Sequence, residues 1–327
     1  MDRVDIPLLE ISKLSKSYRG DDELALVDFS LTIPRNPPVF IAVAGESGSG
    51  KTTLTNLLLG LIRPTNGTVF YKGEDTSLMR RRERLSFRYE VQPILQDPYD
   101  VYNPFYKVDH VFNIVIRKFR LAERRDQSMY MINLSLEAVG LRSQDILGKY
   151  PHELSGGQLQ RIMVARALML KPRIIIADEP VSMIDAPQRR EILEILLSLK
   201  EEYGVSMIYI THDLSTAYQM SDGIIILYRG IVVERGSISR VIEQPAHPYT
   251  KILIDSIPEP DPDLLWNYER QSVATLQRQT PGCGFAFQCP HVMNSCLITK
   301  PPMSKIGEEQ FVACYSPLTR AAHNLKT

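Results

Sequence analysis

The chain has no cysteine before Cys283; its four thiols, Cys283, Cys289, Cys296 and Cys314, all fall near one end. It also lacks net charge, because Lys plus Arg and Asp plus Glu each total 38. That balance excludes a general electrostatic pull toward nucleic acid or an acidic membrane surface. Long apolar runs are missing. "IIIA" before Asp178 and "GIIILY" before Arg229 are strand-sized, far short of the ~20 residues that span a bilayer. The opening "MDRVDIPLLEIS" lacks the basic-then-apolar order of a signal peptide. These absences lead us to expect a soluble chain that reaches a membrane only through a partner. Its thiols should stay reduced, which argues against a disulfide framework. No stretch sustains the heptad pattern of a long coiled coil, and we find neither an internal repeat nor a low-complexity segment.

What is present is a chain of 327 residues, 44% hydrophobic, enough for one large core or two modest ones. The basic run "RRRER" (Arg80 to Arg84) reads as a solvated loop or helix face. "LLEISKLSKSYRG" through "ALVDFSLTI" alternates apolar and polar residues, as antiparallel strands do. "VFIAVAG" reads as a buried strand and "KTTLTNLLLGLI" as a helix. The region from Asp97 to Leu170 is mostly helical. "PRIIIADEP", "VSMIYITHD" and "GIIILYRGIVVERG" read as further strands. Between the first two of these, "QRREILEILLSLKEEYG" reads as an amphipathic helix ending at Gly204. Alternating strands and helices predict an α/β fold, a parallel-rich sheet covered on both faces, with an inserted helical region. After Ile257, the acidic and proline-rich "PEPDPDLLW" suggests a stiff linker.

"GESGSGKT" supplies a phosphate cradle: Gly45, Glu46, Ser47, Gly48, Ser49, Gly50, Lys51 and Thr52, followed by Thr53. It fits G-x-x-x-x-G-K-[ST] between a strand and a helix. Glycines let backbone N–H groups wrap the phosphates, and the helix N-terminus adds positive potential. Lys51 would reach the β- and γ-phosphates, and the Thr52 hydroxyl would ligate Mg²⁺. At the end of "IIIADEP", Asp178 would hold Mg²⁺ and Glu179 would polarise the attacking water. Alone, that carboxylate pair could equally be a strand end meeting solvent; beside a cradle it reads as functional. In "LSGGQ", Ser155 with Gly156, Gly157 and Gln158 opens another helix, giving a second anion-binding N-terminus.

Cradle and "LSGGQ" together resemble the ATP-binding cassette (ABC) ATPases. The resemblance implies a P-loop NTPase core of RecA-like type, an antiparallel β subdomain and an α-helical insertion. It also implies that two cassettes meet head to tail around two ATP molecules, each between the cradle of one and the Ser155/Gly157 element of the other. Family positions carry over singly. Tyr18 matches the aromatic that stacks on adenine. Gln96, preferred over Gln92 because it precedes "DP", matches the glutamine that contacts Mg²⁺ and the attacking water. His212 matches the switch histidine, and Asp185 the residue that communicates across the dimer. Where the family more often has Ala-Leu before that aspartate, this chain has Met183-Ile184.

"EQPAHPYTKILIDSIP", "QDPYDVYNPF" and "PHELSGGQ" further resemble the oligopeptide/dipeptide importer ATPases; "ARAL" and "ADEPVS" lean toward the F-type subunit. This implies an ATPase domain over 1–245, with 97–165 as its helical insertion, and a C-terminal extension over 246–327. The implied partners are a second ATPase of D-type, two transmembrane permease subunits and, indirectly, an extracellular solute-binding protein, with no nucleic acid. The implied location is the cytoplasmic face of the membrane. The family's cargoes include peptides, oligosaccharides and nickel chelates, none of which touches this subunit. The four cysteines resemble those that bind an iron–sulfur cluster in that extension. Their spacing matches neither the short zinc pairs nor the common ferredoxin run. A tetrathiolate site would supply folding energy to a tail with few apolar residues. We keep a [4Fe–4S] cluster, zinc (with His291 as a possible ligand) and inert thiols as the alternatives. A soluble ABC ATPase acting on nucleic acid or the ribosome is the competing function, and an assembly subunit with an idle nucleotide site a third.

Overall fold

The computed structural model of the chain describes residues 6–18, 24–257 and 281–318. The proline-rich stretch expected to form a linker lies outside them.

The strands are β1 (Leu9–Ser17), β2 (Leu24–Ile33), β3 (Phe40–Ala44), β4 (Asn66–Tyr71), β5 (Glu74–Asp75), β6 (Val91–Ile94), β7 (Ile174–Asp178), β8 (Ser206–Thr211), β9 (Gly223–Tyr228), β10 (Ile231–Ser237), β11 (Ser304–Lys305) and β12 (Gln310–Val312). The helices are α1 (Lys51–Leu58), α2 (Arg81–Glu90), α3 (Pro98–Val101), α4 (Asp109–Phe119), α5 (Arg125–Glu137), α6 (Ser143–Ile146), α7 (Gly156–Leu168), α8 (Ala186–Glu201), α9 (Leu214–Met220), α10 (Ile238–Glu243), α11 (Pro248–Asp255) and α12 (Asn294–Ile298).

Among the described residues, β2-β1-β4-β5 form one antiparallel sheet. The second sheet has the order β11-β12-β10-β9-β3-β8-β7-β6. Its central run, β9-β3-β8-β7-β6, is parallel throughout. Strands β7, β8 and β9 are buried at every residue, as a sheet covered on both faces requires. The side chains of β7 and β8 alternate between two cores. Ile174, Ile176, Ile208 and Ile210 pack with Leu54 and Leu58 of α1 and with Leu14 and Phe29 of the antiparallel sheet. Ile175, Ala177, Met207 and Tyr209 point the other way, onto α4, α5, α7 and α8. This period of two is what lets one sheet join the antiparallel and helical regions without an interface of its own.

"RRRER" turns out to run into a helix. Glu83 caps α2 by accepting the Arg80 N–H (2.7 Å), and Phe87 is the residue of α2 that is buried. The tail does more than extend the chain. β12 pairs antiparallel with β10, and β11 with β12, so the parallel sheet gains an antiparallel edge. Phe285 and Tyr249 share a hydrophobic cluster with Ala42 and Ala44 of β3 and Ile224 and Ile226 of β9.

The strand order positions the chemistry. β3, β8, β7 and β6 are consecutive neighbours running in one direction. Their carboxyl ends therefore open onto one crevice, the usual ligand position in such sheets. The segments leaving those ends begin with the glycine-rich loop, His212, Glu179 and, two residues on from β6, Gln96.

Candidate active site

A single pocket gathers Gly45, Glu46, Ser47, Gly48, Gly50, Lys51, Thr52 and Thr53 with Gln96, Glu179 and His212. Ala25 and Leu253 complete its lining. The loop conformation depends on glycine at two places. Gly50 has φ +101°, and a Cβ there would lie 2.5 Å from the Ala25 carbonyl oxygen; at Gly45 a Cβ would collide with the Leu227 carbonyl. The loop is further closed by Ser49 N–H donating to Glu46 O (3.1 Å) and Gly230 N–H to Ser49 O (2.9 Å). Ser49 Oγ is buried in this loop with no hydrogen-bond partner.

Lys51 opens α1 and is itself buried. Its Nζ donates to the carbonyls of Gly45 (2.7 Å) and Glu46 (2.9 Å). Burial pushes its pKa down, while Glu179, Asp178 and Glu46 push back. Asp178 ends β7. Burial pushes its carboxyl up, opposed by a hydrogen bond from Thr55 Oγ1 (2.9 Å) and by Lys51, with Glu179 adding to the rise.

Glu179 is held from both sides. Its Oε2 accepts from Gln96 Nε2 at 2.9 Å, and its Oε1 lies 3.0 Å from His212 Nδ1. The residue sits in the left-handed region at φ 46°, a conformation unfavourable for a non-glycine residue, and its N–H donates to Ile210 O of β8 (2.8 Å). The carboxylate faces the phosphate loop with both oxygens oriented. Gln92 is buried in β6 and donates to the Arg88 carbonyl, away from this cluster.

Other candidates lie apart from the pocket lining. Tyr18 follows β1, is 41% exposed and has its hydroxyl 3.2 Å from Thr53 Oγ1. Ser155 is the N-cap of α7: its Oγ accepts from Gln158 N–H (3.2 Å), and Gln158 Oε1 accepts from Ser155 N–H (3.0 Å). This reciprocal capping leaves the first amides of α7, at Gly156 and Gly157, outside the cap. Asp185 is the N-cap of α8 without a side-chain capping bond.

Sequence reasoning missed Thr55, Tyr249 and Leu253. Thr55 follows Lys51 by one helical turn, so the two share a face of α1; that spacing was the available signal. Tyr249 Oη accepts the Glu46 N–H (3.1 Å), a contact across 203 residues that no local pattern marks.

In the tail, burial pushes the thiols of Cys283, Cys289 and Cys314 up. Cys314 also feels the charges of Cys289, Cys283 and Cys296, so the four lie within electrostatic reach of one another. Cys283 N–H donates to the Cys296 carbonyl (2.7 Å). Yet among the described residues no group of three or more His, Cys, Asp or Glu side chains is placed to hold a metal ion. The donor chemistry suits a thiolate-bound group; the placement forms no single-ion cage.

Residues 26–182 match the family described as ABC transporter, and residues 233–296 match the oligopeptide/dipeptide transporter C-terminal region. The putative oligopeptide transport ATP-binding protein YkfD of Bacillus subtilis is 36% identical over 318 residues, 95% of this chain and 95% of that protein. The chain belongs to the ABC transporter ATP-binding proteins. The oligopeptide transport ATP-binding protein OppF of Salmonella typhimurium is 36% identical to this ABC protein over 268 residues, 80% of this chain and 79% of the relative. Among solved structures, a dimeric post-hydrolysis state of the ATP-binding cassette MJ0796 bound to ADP and Pi superposes with TM-score 0.63 at 29% identity, covering 70% of this chain and 98% of that one. No helix among the described residues is long and apolar enough to cross a membrane.

Proposed function

We propose that this chain is the ATP-hydrolysing subunit that energises a peptide importer from the cytoplasmic face of the membrane. The observation that carries the reading is the clamp on Glu179 by Gln96 and His212 at the mouth of the glycine-rich loop. Peptide cargo is supported by the oligopeptide transport roles that YkfD and OppF carry in their names. Import follows from further relatives such as a putative peptide import ATP-binding protein of Brucella ovis, 34% identical over 314 residues.

In this reading the loop amides and Lys51 bind the ATP phosphates, and Tyr18 receives adenine. Glu179 takes a proton from water as that water attacks the γ-phosphorus and the bond from that phosphorus to the β–γ bridging oxygen breaks, releasing ADP and phosphate. Gln96 holds the carboxylate and His212 orients it. Thr52, Gln96 and Asp178 would hold Mg²⁺, which would neutralise charge on the β- and γ-phosphates. Ser155, Gly156, Gly157 and Gln158 meet the nucleotide held by the partner ATPase, and Asp185 faces that partner. Two permease subunits, contacted by the helical insertion, change between inward- and outward-facing states as the ATPase dimer closes and reopens. The finer readings are a D-type partner, making the dimer a heterodimer, and a cargo range that extends to oligosaccharides or nickel chelates. In the tail, Cys283, Cys289, Cys296 and Cys314 would hold a [4Fe–4S] cluster, with zinc as an alternative that would need the thiols to move closer together than they stand here. Iron, sulfide and zinc analysis after anaerobic purification decides that last point, and a folded, metal-free tail ends it.

The test of the main reading is isolation of the tagged chain from membranes. Two integral membrane proteins should co-purify, and ATP hydrolysis should rise when the cognate binding protein with its peptide is added. ATPase stimulation by DNA or ribosomes instead, without membrane partners, would favour the competing soluble function.

A further inference from the structure

We propose that Tyr249, on the extension, is a positioning residue for the phosphate-binding loop, and that Phe285 of the cysteine-bearing tail holds it in place. The inference rests on the reading that this loop binds ATP, and it adds a residue outside the loop to that site.

Glu46 is the second residue of the loop, and its N–H donates to Tyr249 Oη at 3.1 Å. That hydrogen bond fixes the peptide plane joining Gly45 and Glu46, whose carbonyl oxygen accepts from Lys51 Nζ (2.7 Å). Tyr249 is 1% exposed and has little freedom. Its ring packs against Tyr228 at 4.5 Å and Phe285 at 5.5 Å between centroids, and Phe285 meets Tyr228 edge-on at 5.3 Å.

The backbone beneath it is also pinned. Tyr249 N–H donates to His247 Nδ1 (3.0 Å). The Ala246 and His247 amides donate to the fully buried carboxylate of Glu234 on β10, at 2.9 and 2.8 Å. Gln310 Nε2 of β12 donates to the same carboxylate at 2.7 Å. One helical turn past Tyr249, Leu253 lines the nucleotide pocket, so this face of α11 is turned toward the site.

Phe285 lies between Cys283 and Cys289, and the Cys283 amide is tied to the Cys296 carbonyl. The perch of the Phe285 ring therefore depends on how the tail is folded. A chain of contacts runs from the thiol-bearing segment through Phe285 and Tyr249 to Glu46.

The experiment uses the full chain with its partner subunits and compares wild type, Tyr249→Phe, Phe285→Leu and the double variant. Removing the Tyr249 hydroxyl leaves the Glu46 N–H without its acceptor while keeping the ring packing. MgATP affinity should weaken about 2- to 10-fold, the worth of one neutral hydrogen bond. The KM for ATP should rise by the same factor, with a smaller loss in kcat. Phe285→Leu should shift affinity the same way, and the double variant should lose no more than Tyr249→Phe, because both act through one oxygen.

A drop in thermal midpoint with unchanged MgATP affinity in Tyr249→Phe would reduce the residue to packing and overturn the proposal. Additive losses in the double variant would overturn the part assigned to Phe285. Should wild type itself bind MgATP no better than Lys51→Ala, the ATPase reading fails and this inference with it, a result distinct from a wild type that binds and a Tyr249→Phe that matches it.

Discussion

Replacing Glu179 by Gln isolates the chemical step from the architecture around it. Glu179 Oε2 accepts from Gln96 Nε2 and Oε1 faces His212 Nδ1. A glutamine can keep both contacts. Its carbonyl oxygen takes the Gln96 donor, and its NH₂ donates to His212 Nδ1 when the imidazole carries its proton on Nε2. Side-chain volume and the 13% side-chain exposure need not change, so the fold and the phosphate loop should survive. In the proposed mechanism, what is lost is the proton acceptor for the attacking water. General-base catalysis of this kind contributes typically 10²- to 10⁴-fold, about 3–5 kcal/mol of barrier. The expected outcome is MgATP affinity within about twofold of wild type, since Glu179 donates nothing to the phosphates, and turnover lower by about 10²–10⁴. Bound nucleotide should then persist, trapping the closed dimer. The assays are equilibrium MgATP binding and steady-state phosphate release on the assembled transporter. Unchanged phosphate release would remove Glu179 from the mechanism. Lost binding would show that its role is in building the loop.

Four further outcomes are expected. Lys51→Ala removes a charged donor held inside the loop and should weaken MgATP binding about 10- to 100-fold; equal affinity in a binding titration would contradict the cradle assignment. Ser155→Arg should leave MgATP binding at the chain's own loop intact, because residues 155–158 are outside that pocket's lining, yet abolish hydrolysis in the assembled transporter; loss of binding at its own loop would argue against shared sites. Thr55→Val deletes the hydrogen bond that opposes the burial-raised pKa of Asp178, so the acid limb of the pH–rate profile should move to higher pH. An unmoved limb would show that Asp178 does not limit the rate. His247 is buried and neutral, its pKa pushed down to about 4 from 6.5. The unfolded chain therefore binds this proton more readily between pH 6.5 and 4. Stability should be complete above 6.5 and fall by at most roughly 3 kcal/mol as pH drops through that window, and His247→Gln should flatten the slope in denaturant titrations.

Much of the site was legible because its pieces are local in sequence. The loop from Gly45 to Thr52, the Asp178–Glu179 pair and His212 each follow an apolar strand run, and parallel strands bring their carboxyl ends to one crevice. Gln96 was chosen over Gln92 on its neighbours alone, and the structure sets Gln96 on Glu179 while Gln92 is turned to Arg88. What the sequence concealed is long-range. Nothing in "FVACY" marks that Gln310–Val312 will pair with β10 some 75 residues earlier, because a three-residue strand has too short a pattern to declare a partner. The left-handed φ of Glu179, and the hydrogen bond of its N–H to Ile210 on a neighbouring strand, are equally invisible. Tyr249 reads as an ordinary helix residue until its hydroxyl is seen against Glu46. "RRRER" carries charge but also the Arg80–Glu83 capping contact that lets α2 start, a signal that charge counting overlooks.

The shared nucleotide site is the claim on which the functional account rests, and amide hydrogen exchange tests it directly. The measurement compares the assembled transporter carrying Glu179→Gln with and without MgATP. Slowed exchange is expected both across residues 45–52 and at the start of α7, residues 155–158, because in the proposed mechanism each nucleotide is enclosed by two different subunits. Protection confined to residues 45–52, with 155–158 exchanging as fast as before, would contradict it.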